Sequence, residues 1–398
     1  MNAQHRGTIV VVSADVGAGH DSAAAELTRR LADRGFAVHR VNFLDLLPRP
    51  VRSMFREAYR GVLRWAPWGY DALFAITGRS RLTVAVLRGA LAPLRGRARR
   101  AVPAGTRAVV TTYPFANQLL GPLRRSGVLP VPLVTYVTDF VVHPTWVAPG
   151  VDVYCTLRHA RHQPSGTGAT LDVRTVSPLV SADFPAATQT TRRAARRRFG
   201  LPERERLVLI VAGAWGTGDV EATVAAVDAA DGVRTVVVCG RNADLRQRLR
   251  GPTRHVLGWV DDMPTLMRAV DVVVENAGGL TCQEALSCGL PVITYRPLPG
   301  HGRANAAILA AAGLTRWAPS AEQLRRALAT LATPDPPSVG GWPGGWADPA
   351  ALVADEAGRQ TGAGCAAYRR RRAVLDAVDE AVGVLATVLP SIRWVGGR

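Results

Sequence analysis

Thr8-Ile-Val-Val-Val-Ser13-Ala-Asp-Val-Gly17-Ala-Gly-His20 passes from a β-branched run through a glycine-rich turn into the helical pattern Ser22 to Arg34. Leu207-Val-Leu-Ile-Val211-Ala-Gly213-Ala-Trp-Gly216 does the same before a helix from about Asp219. A strand, a glycine turn and a helix open a doubly wound α/β domain, because a backbone without side chains can turn sharply at the strand end. Two openings predict two such domains in one chain. Short apolar runs extend each of them: Ala37 to Val41, Ala108 to Thr112 and Leu133 to Thr138 in the first, then Thr235 to Cys239, His255 to Leu257, Asp271 to Glu275 and Pro291 to Tyr295 in the second. Separated by helical patterns, these runs read as strands of buried parallel sheets.

The expected organisation is an N-terminal Rossmann-like domain over 1–180, a linker over 181–205 and a second Rossmann-like domain over 206–332. The linker holds a short basic helix around Arg192 to Arg198. Thr333 to Pro349 contains five Pro and four Gly, which predicts a loop over 333–350. A helical tail is expected over 351–398, where Leu375, Val378, Val382, Leu385 and Leu389 recur at three- and four-residue steps.

Composition limits the classes open to such a chain. Its 398 residues are 47% hydrophobic, enough for more than one core and too apolar for intrinsic disorder. All 49 basic residues are Arg, against 31 acidic ones, and the net charge of +18 draws the protein toward anionic surfaces or phosphorylated small molecules. Five scattered cysteines without CxxC spacing fit a reducing compartment and no disulfide framework. The apolar run Ile9 to Val12 is too short for a signal peptide, and no stretch reaches the 18 or so apolar residues of a membrane span. A cytoplasmic protein, peripheral on the cytosolic face of the plasma membrane, is expected.

Three places carry chemistry. Gly17-Ala-Gly19-His20 lies where a strand hands over to a helix, so its N–H groups can face an anion, while His20 is placed to take a proton near neutral pH. It is not a dinucleotide fingerprint, since Ser22 occupies the third glycine position. Asp139 and His143 follow a central strand and could act together. Asp271-Val-Val-Val-Glu275-Asn-Ala-Gly278-Gly279-Leu-Thr281-Cys-Gln-Glu284 runs from strand through a Gly-Gly turn into a helix, with bare N–H groups for a diphosphate and a carboxylate one turn on for a ribose diol. This spacing suits a nucleotide sugar.

The runs Ser13 to Ser22, Thr138 to Asp152 and Ala277 to Ala285 with Gly289-Leu-Pro-Val292 resemble the monogalactosyldiacylglycerol synthase and processive diacylglycerol glucosyltransferase family, over roughly residues 8–315. The resemblance implies the GT-B fold, two Rossmann-like domains facing each other across a cleft. It implies an inverting glycosyltransferase of glycolipid biosynthesis that moves a hexose from a UDP-sugar to a lipid acceptor such as diacylglycerol. His20 matches the general base and Asp139 its acidic partner. Gly19, Gly213, Gly258, Val260, Gly278, Gly279, Thr281, Glu284, His301 and Asn305 form the expected donor-contacting set, with Gly258-Trp259-Val260 at the uracil. No cofactor, metal or nucleic acid is expected beyond the UDP-sugar.

Two positions depart from the family pattern. His301-Gly302 stands where relatives carry an amide and a carboxylate for the sugar hydroxyls, and Trp215 interrupts the small residues of the second glycine turn. Between Met54 and Phe74, aromatic residues including Phe55, Tyr59, Trp65, Trp68 and Tyr70 alternate with Arg56, Arg60 and Arg64. With the Arg88 to Arg100 cluster, they form the expected docking surface for an anionic membrane. A sugar-nucleotide epimerase, a catalytically degenerate sugar-nucleotide-binding protein and a basic nucleic-acid-binding protein are the alternatives. Release of UDP only with lipid, UDP binding without turnover, and salt-dependent DNA binding would distinguish them.

Overall fold

The computed structural model describes residues 6–162, 171–331 and 346–359. In the N-terminal half, strands β1 (Thr8–Ser13), β2 (Ala37–Asn42), β3 (Thr106–Thr111), β4 (Leu133–Tyr136), β6 (Val153–Leu157) and β8 (Val173–Val176) form one sheet, and β5 (Val141–Val142) and β7 (Arg161–His162) pair beside it. The main sheet is parallel throughout, in the order β2-β1-β3-β4-β6-β8. Its helices are α1 (Ala18–Asp33), α2 (Arg49–Trp65), α3 (Pro67–Arg79), α4 (Arg81–Ala90), α5 (Arg95–Arg100) and α6 (Pro114–Arg125).

The basic helix α7 (Gln189–Arg198) leads into the C-terminal half. There β9 (Leu207–Val211), β10 (Arg234–Val238), β11 (Arg254–Leu257), β12 (Val272–Glu275), β13 (Val292–Tyr295) and β14 (Arg316–Ala318) form a second parallel sheet, in the order β11-β10-β9-β12-β13-β14. Around it lie α8 (Val220–Asp228), α9 (Ala243–Arg248), α10 (Met263–Ala269), α11 (Leu280–Ser287), α12 (His301–Ala311) and α13 (Ala321–Leu331). The strands are short apolar runs because helices cover both faces: Ile9, Val10, Val11, Leu207, Val208 and Leu209 have no exposed surface.

Five strands lie outside the expected set: the short pair β5 and β7, and three strands of the two main sheets. β6 is apolar and follows a long irregular stretch, β8 is an exposed-edge strand with Arg174 and Thr175 facing out, and β14 is only three residues long. The described part of the tail also differs from expectation. A helix, α14 (Pro349–Gly358), begins at the end of the segment read as a loop, with Pro in its first turn. It returns to the N-terminal half, packing on α1 and β3, and Asp348 at its start pairs with Arg30 at 3.0 Å and Arg34 at 2.6 Å. The helical pattern expected over Tyr368 to Leu389 lies outside the described residues.

In both sheets the strand order reverses at the centre, between β1 and β3 and between β9 and β12. Open α/β sheets gather ligands at the carboxyl ends of such strands. Both glycine turns lie there, and the two halves meet at those ends.

Candidate active site

His20 lies in the first turn of α1, one residue past Gly19, and is half-buried. Its ring Nδ1 is 2.7 Å from the Thr112 carbonyl oxygen and 3.2 Å from Thr138 Oγ1. A carbonyl can only accept, so Nδ1 carries the hydrogen and Nε2 keeps its lone pair. Nε2 has no hydrogen-bond partner among the described residues. Burial pushes the imidazole below its ordinary pKa, against the opposing pull of the Asp139 charge. The ring is therefore a neutral base at pH 7. The backbone is held from the same strand end, since Thr112 Oγ1 donates to the His20 carbonyl at 3.0 Å.

Asp139 does not hydrogen-bond to the His20 ring. Its Oδ2 accepts from Trp146 Nε1 at 3.3 Å and its Oδ1 from Asn305 Nδ2 at 3.2 Å, so it acts on His20 through charge alone. The orienting contact of the ring is the Thr112 carbonyl, which sequence reading did not single out. His143, expected to work with Asp139, is a structural residue. Its Nε2–H donates to the Phe74 carbonyl at 2.9 Å and its Nδ1 accepts from Thr145 N at 3.2 Å, so both ring nitrogens are committed.

Across the cleft stands the N-terminus of α11. A methyl on Gly19 would lie 3.8 Å from Leu280 Cβ, so the starts of α1 and α11 approach one another. A methyl on Gly17 or Gly279 would meet nothing within 4 Å, which leaves open space before both helix starts. Gly278 adopts φ +63° and a side chain there would strike Asn305, so only glycine fits. The N–H groups of Ala277 and Gly278 are not bare, as the sequence reading expected. Both donate to Glu275 Oε2, at 2.7 and 2.5 Å, while Glu275 Oε1 accepts from Thr294 Oγ1 at 2.6 Å. Glu275 is a buried strut of the turn, and burial raises its pKa against these three bonds. The first-turn N–H groups from Gly279 through half-exposed Thr281 are the ones placed to meet an anion.

Glu284 lies one turn inside α11 with no hydrogen-bond or ion-pair partner among the described residues. Desolvation pushes its carboxyl up to about 8. A carboxylate left unpaired in a partly dry cleft suits a ligand that brings hydroxyl donors. Gly213, Gly240 and Gly258 follow the ends of β9, β10 and β11. Gly213 has φ +68° and open space on its Cα, where a methyl would meet no atom within 4 Å, and Gly258 faces the Arg246 guanidinium. Val260 packs its side chain on the core. Arg241, not foreseen, stacks 4.2 Å from the Trp259 ring and 5.9 Å from the Trp215 ring, giving the departure at Trp215 a partner.

The other departure is met from the opposite half. Tyr70 OH lies 3.2 Å from His301 Nδ1, Asp71 Oδ1 accepts from Gly300 N at 2.5 Å, and Asp71 Oδ2 pairs with Arg303 at 2.8 Å. Asn305, expected to contact the donor, is instead fully engaged by protein. Its Oδ1 accepts from Phe140 N and Val141 N at 3.0 Å each, and its Nδ2 donates to Asp139 Oδ1 and the Ala277 carbonyl at 3.2 Å each.

Comparison with known proteins bears on both halves. Residues 20–163 match the monogalactosyldiacylglycerol (MGDG) synthase family, and residues 215–333 match glycosyl transferases group 1. A processive diacylglycerol β-glucosyltransferase of Bacillus pumilus is 31% identical over 186 residues, 44% of this chain and 48% of that protein. One of Bacillus subtilis is 29% identical over 214 residues, 50% of this chain and 53% of that protein. The chain thus spans about half the length of the curated relatives it matches. Among solved structures, the spinosyn rhamnosyltransferase SpnG superposes with TM-score 0.55 at 16% identity, covering 92% of this chain and 99% of that one. Medicago truncatula UGT71G1, solved with UDP-glucose, gives TM-score 0.53 at 12% identity over 83% and 91%. The fold is GT-B, with an N-terminal half similar to the MGDG synthase family and a C-terminal half similar to glycosyl transferases group 1.

Proposed function

We propose that the chain is an inverting glycosyltransferase that moves a hexose from a UDP-sugar to a hydroxyl of a lipid acceptor such as diacylglycerol. The carrying observation is a neutral His20 with Nε2 unspent, beside open space faced by the α11 N-terminus. In the proposed reaction Nε2 takes the acceptor proton and the acceptor oxygen bonds to the anomeric carbon. The bond from that carbon to the diphosphate breaks, and its electron pair leaves with UDP. The α11 N-terminus stabilises the charge that develops on the leaving group, and Glu284 holds the ribose. No step calls on a metal.

Lipid access is read from α2, α3 and α4, where Met54, Trp68, Leu73, Ile76, Leu82 and Val86 are exposed by 54–77%. Such exposed apolar residues, on helices that also carry exposed Arg49 and Arg79, suit peripheral docking on an anionic bilayer. Side chains of Tyr59, Arg60, Arg64 and Trp65 from the expected docking segment lie outside the described ones. No helix among the described residues is long and apolar enough to cross a membrane.

The test is thermal unfolding against UDP, GDP and NAD, followed by product assay with UDP-hexoses and diacylglycerol vesicles. At about 100 times the dissociation constant UDP should add roughly 2.7 kcal/mol and raise Tm by several degrees. Stabilisation by NAD or GDP alone would overturn the donor class. UDP binding without lipid-dependent UDP release would leave a sugar-nucleotide-binding protein. Replacing Trp68, Leu73 and Ile76 by Glu should cut binding to anionic vesicles by at least about tenfold; unchanged co-sedimentation would remove the patch from the reading.

A further inference from the structure

Asn305 is wholly buried on α12, in the half that carries Glu284, yet three of its four hydrogen bonds reach the other half. Two backbone N–H groups require an oxygen, so the amide orientation is fixed: Oδ1 faces Phe140 and Val141, and Nδ2 faces Asp139 and the Ala277 carbonyl. One side chain thus ties the Gly278 turn to the carboxylate beside His20. A second tie runs in parallel, Gln283 Nε2 to the Thr138 carbonyl at 3.1 Å, and Thr138 Oγ1 touches the His20 ring.

The geometry points to Asn305 as a positioning residue that registers the docking of the two halves at Asp139, so that the carboxylate, held within its own half by Trp146 Nε1, gains its second anchor only when donor and acceptor halves are closed on each other. This rests on the proposed transfer reaction and goes beyond it. The amide the sequence places among donor contacts has no hydrogen-bonding capacity left for a sugar hydroxyl while closed, and its work is to set the group next to the base. The consequence is a coupling between the two sites. Donor binding that favours closure also completes the electrostatic surroundings of His20, whose charged or titratable neighbours include Asp139, His301 and the Tyr113 ring at 5.3 Å.

The experiment is a double-mutant cycle between Asn305→Ala and Asp139→Asn on the full chain, with Asn305→Asp as a second variant. Asn305→Asp keeps an oxygen for the Phe140 and Val141 N–H groups, loses the donor to both Asp139 and the Ala277 carbonyl and sets an oxygen against each, so it breaks the tie from the Nδ2 side alone and serves where Asn305→Ala folds poorly. Expected are a kcat lowered about 30-fold in either Asn305 variant, a donor KM and UDP dissociation constant within threefold of wild type, and no further loss when Asn305→Ala is added to Asp139→Asn. Losses that multiply in the double variant, or a donor KM raised tenfold with kcat retained, would overturn the proposal, the latter in favour of a sugar contact. NMR titration of the His20 imidazole supplies a readout that needs no turnover. Asn305→Ala should move that titration in the wild-type background and leave it unmoved beside Asp139→Asn. If wild type shows no transfer but the titration follows this pattern, the reaction reading fails while the coupling stands; a titration unmoved by Asn305→Ala in wild type sinks the coupling.

Discussion

The two glycine turns of the cleft share one grammar and are built in opposite ways. At the start of α1, the turn is held from outside, by side chains at the ends of neighbouring strands. Thr112 after β3 bonds the His20 carbonyl, and Asn42 at the end of β2 accepts from Asp15 N at 3.4 Å. At the start of α11, the N–H groups of the turn are held from within by Glu275, the last residue of its own strand, while Asn305 holds the Ala277 carbonyl from α12. The first arrangement leaves a titratable ring at the helix start and fixes it through a carbonyl. The second spends a buried carboxylate on the turn itself and leaves the helix N-terminus to an anion. On the proposed reaction, one motif thus makes a base on one wall and a leaving-group site on the other.

The widest separation between the two turns should come from His20→Ala. On the proposed reaction it removes the base while touching nothing on the donor wall, so kcat should fall by about 10³-fold with UDP affinity unchanged within threefold. Stopped assays of lipid product and calorimetry with UDP read the two quantities separately. Comparable losses in both would mean that the turns do not divide the labour as proposed.

Glu275→Ala attacks the other turn. It strands the Ala277 and Gly278 N–H groups and the Thr294 hydroxyl, costing about 3–5 kcal/mol of stability, or roughly 10 °C in Tm. UDP affinity should weaken by about 30-fold because the α11 start loses its anchor. A variant of normal stability and UDP affinity would show that the turn keeps its shape without the strut.

The contrast was legible only in part from sequence. β-Branched runs and glycines revealed both sheets and both turns, because strand burial and tight turns impose residue types locally. Glu275 and Thr112 were hidden for the opposite reason. A Glu at a strand end reads as a solvated residue until the turn folds back over it, and a backbone carbonyl has no side-chain signature. Asn305 was found as a position but not its protein partners, since Phe140 and Val141 lie 165 and 164 residues away. The return of α14 to β3 is of the same kind: Pro349 marks the helix start, but nothing local says where the helix packs.

The finest test of the donor wall uses pH. Glu284 is pushed up to about 8 in the folded chain and titrates near 4.3 when unfolded. Its contribution to stability is therefore fully present below about pH 4 and is lost as pH rises through about 8, because the folded state binds the proton more tightly. Ribose hydroxyls donate to the ionised carboxylate, so on the proposed binding mode UDP-glucose, whose diphosphate diester does not titrate here, displaces that proton below pH 8. Its affinity should rise with pH by up to about tenfold per unit between pH 6 and 8 and then level off. Glu284→Gln should flatten both curves, leaving the ligand-free protein less sensitive to alkali and UDP-glucose affinity about tenfold weaker at pH 8. Calorimetry in two buffers of different ionisation heat counts the proton directly. An affinity independent of pH in wild type would take Glu284 out of the ribose site and leave the α11 N-terminus alone to distinguish this turn from the one that carries His20.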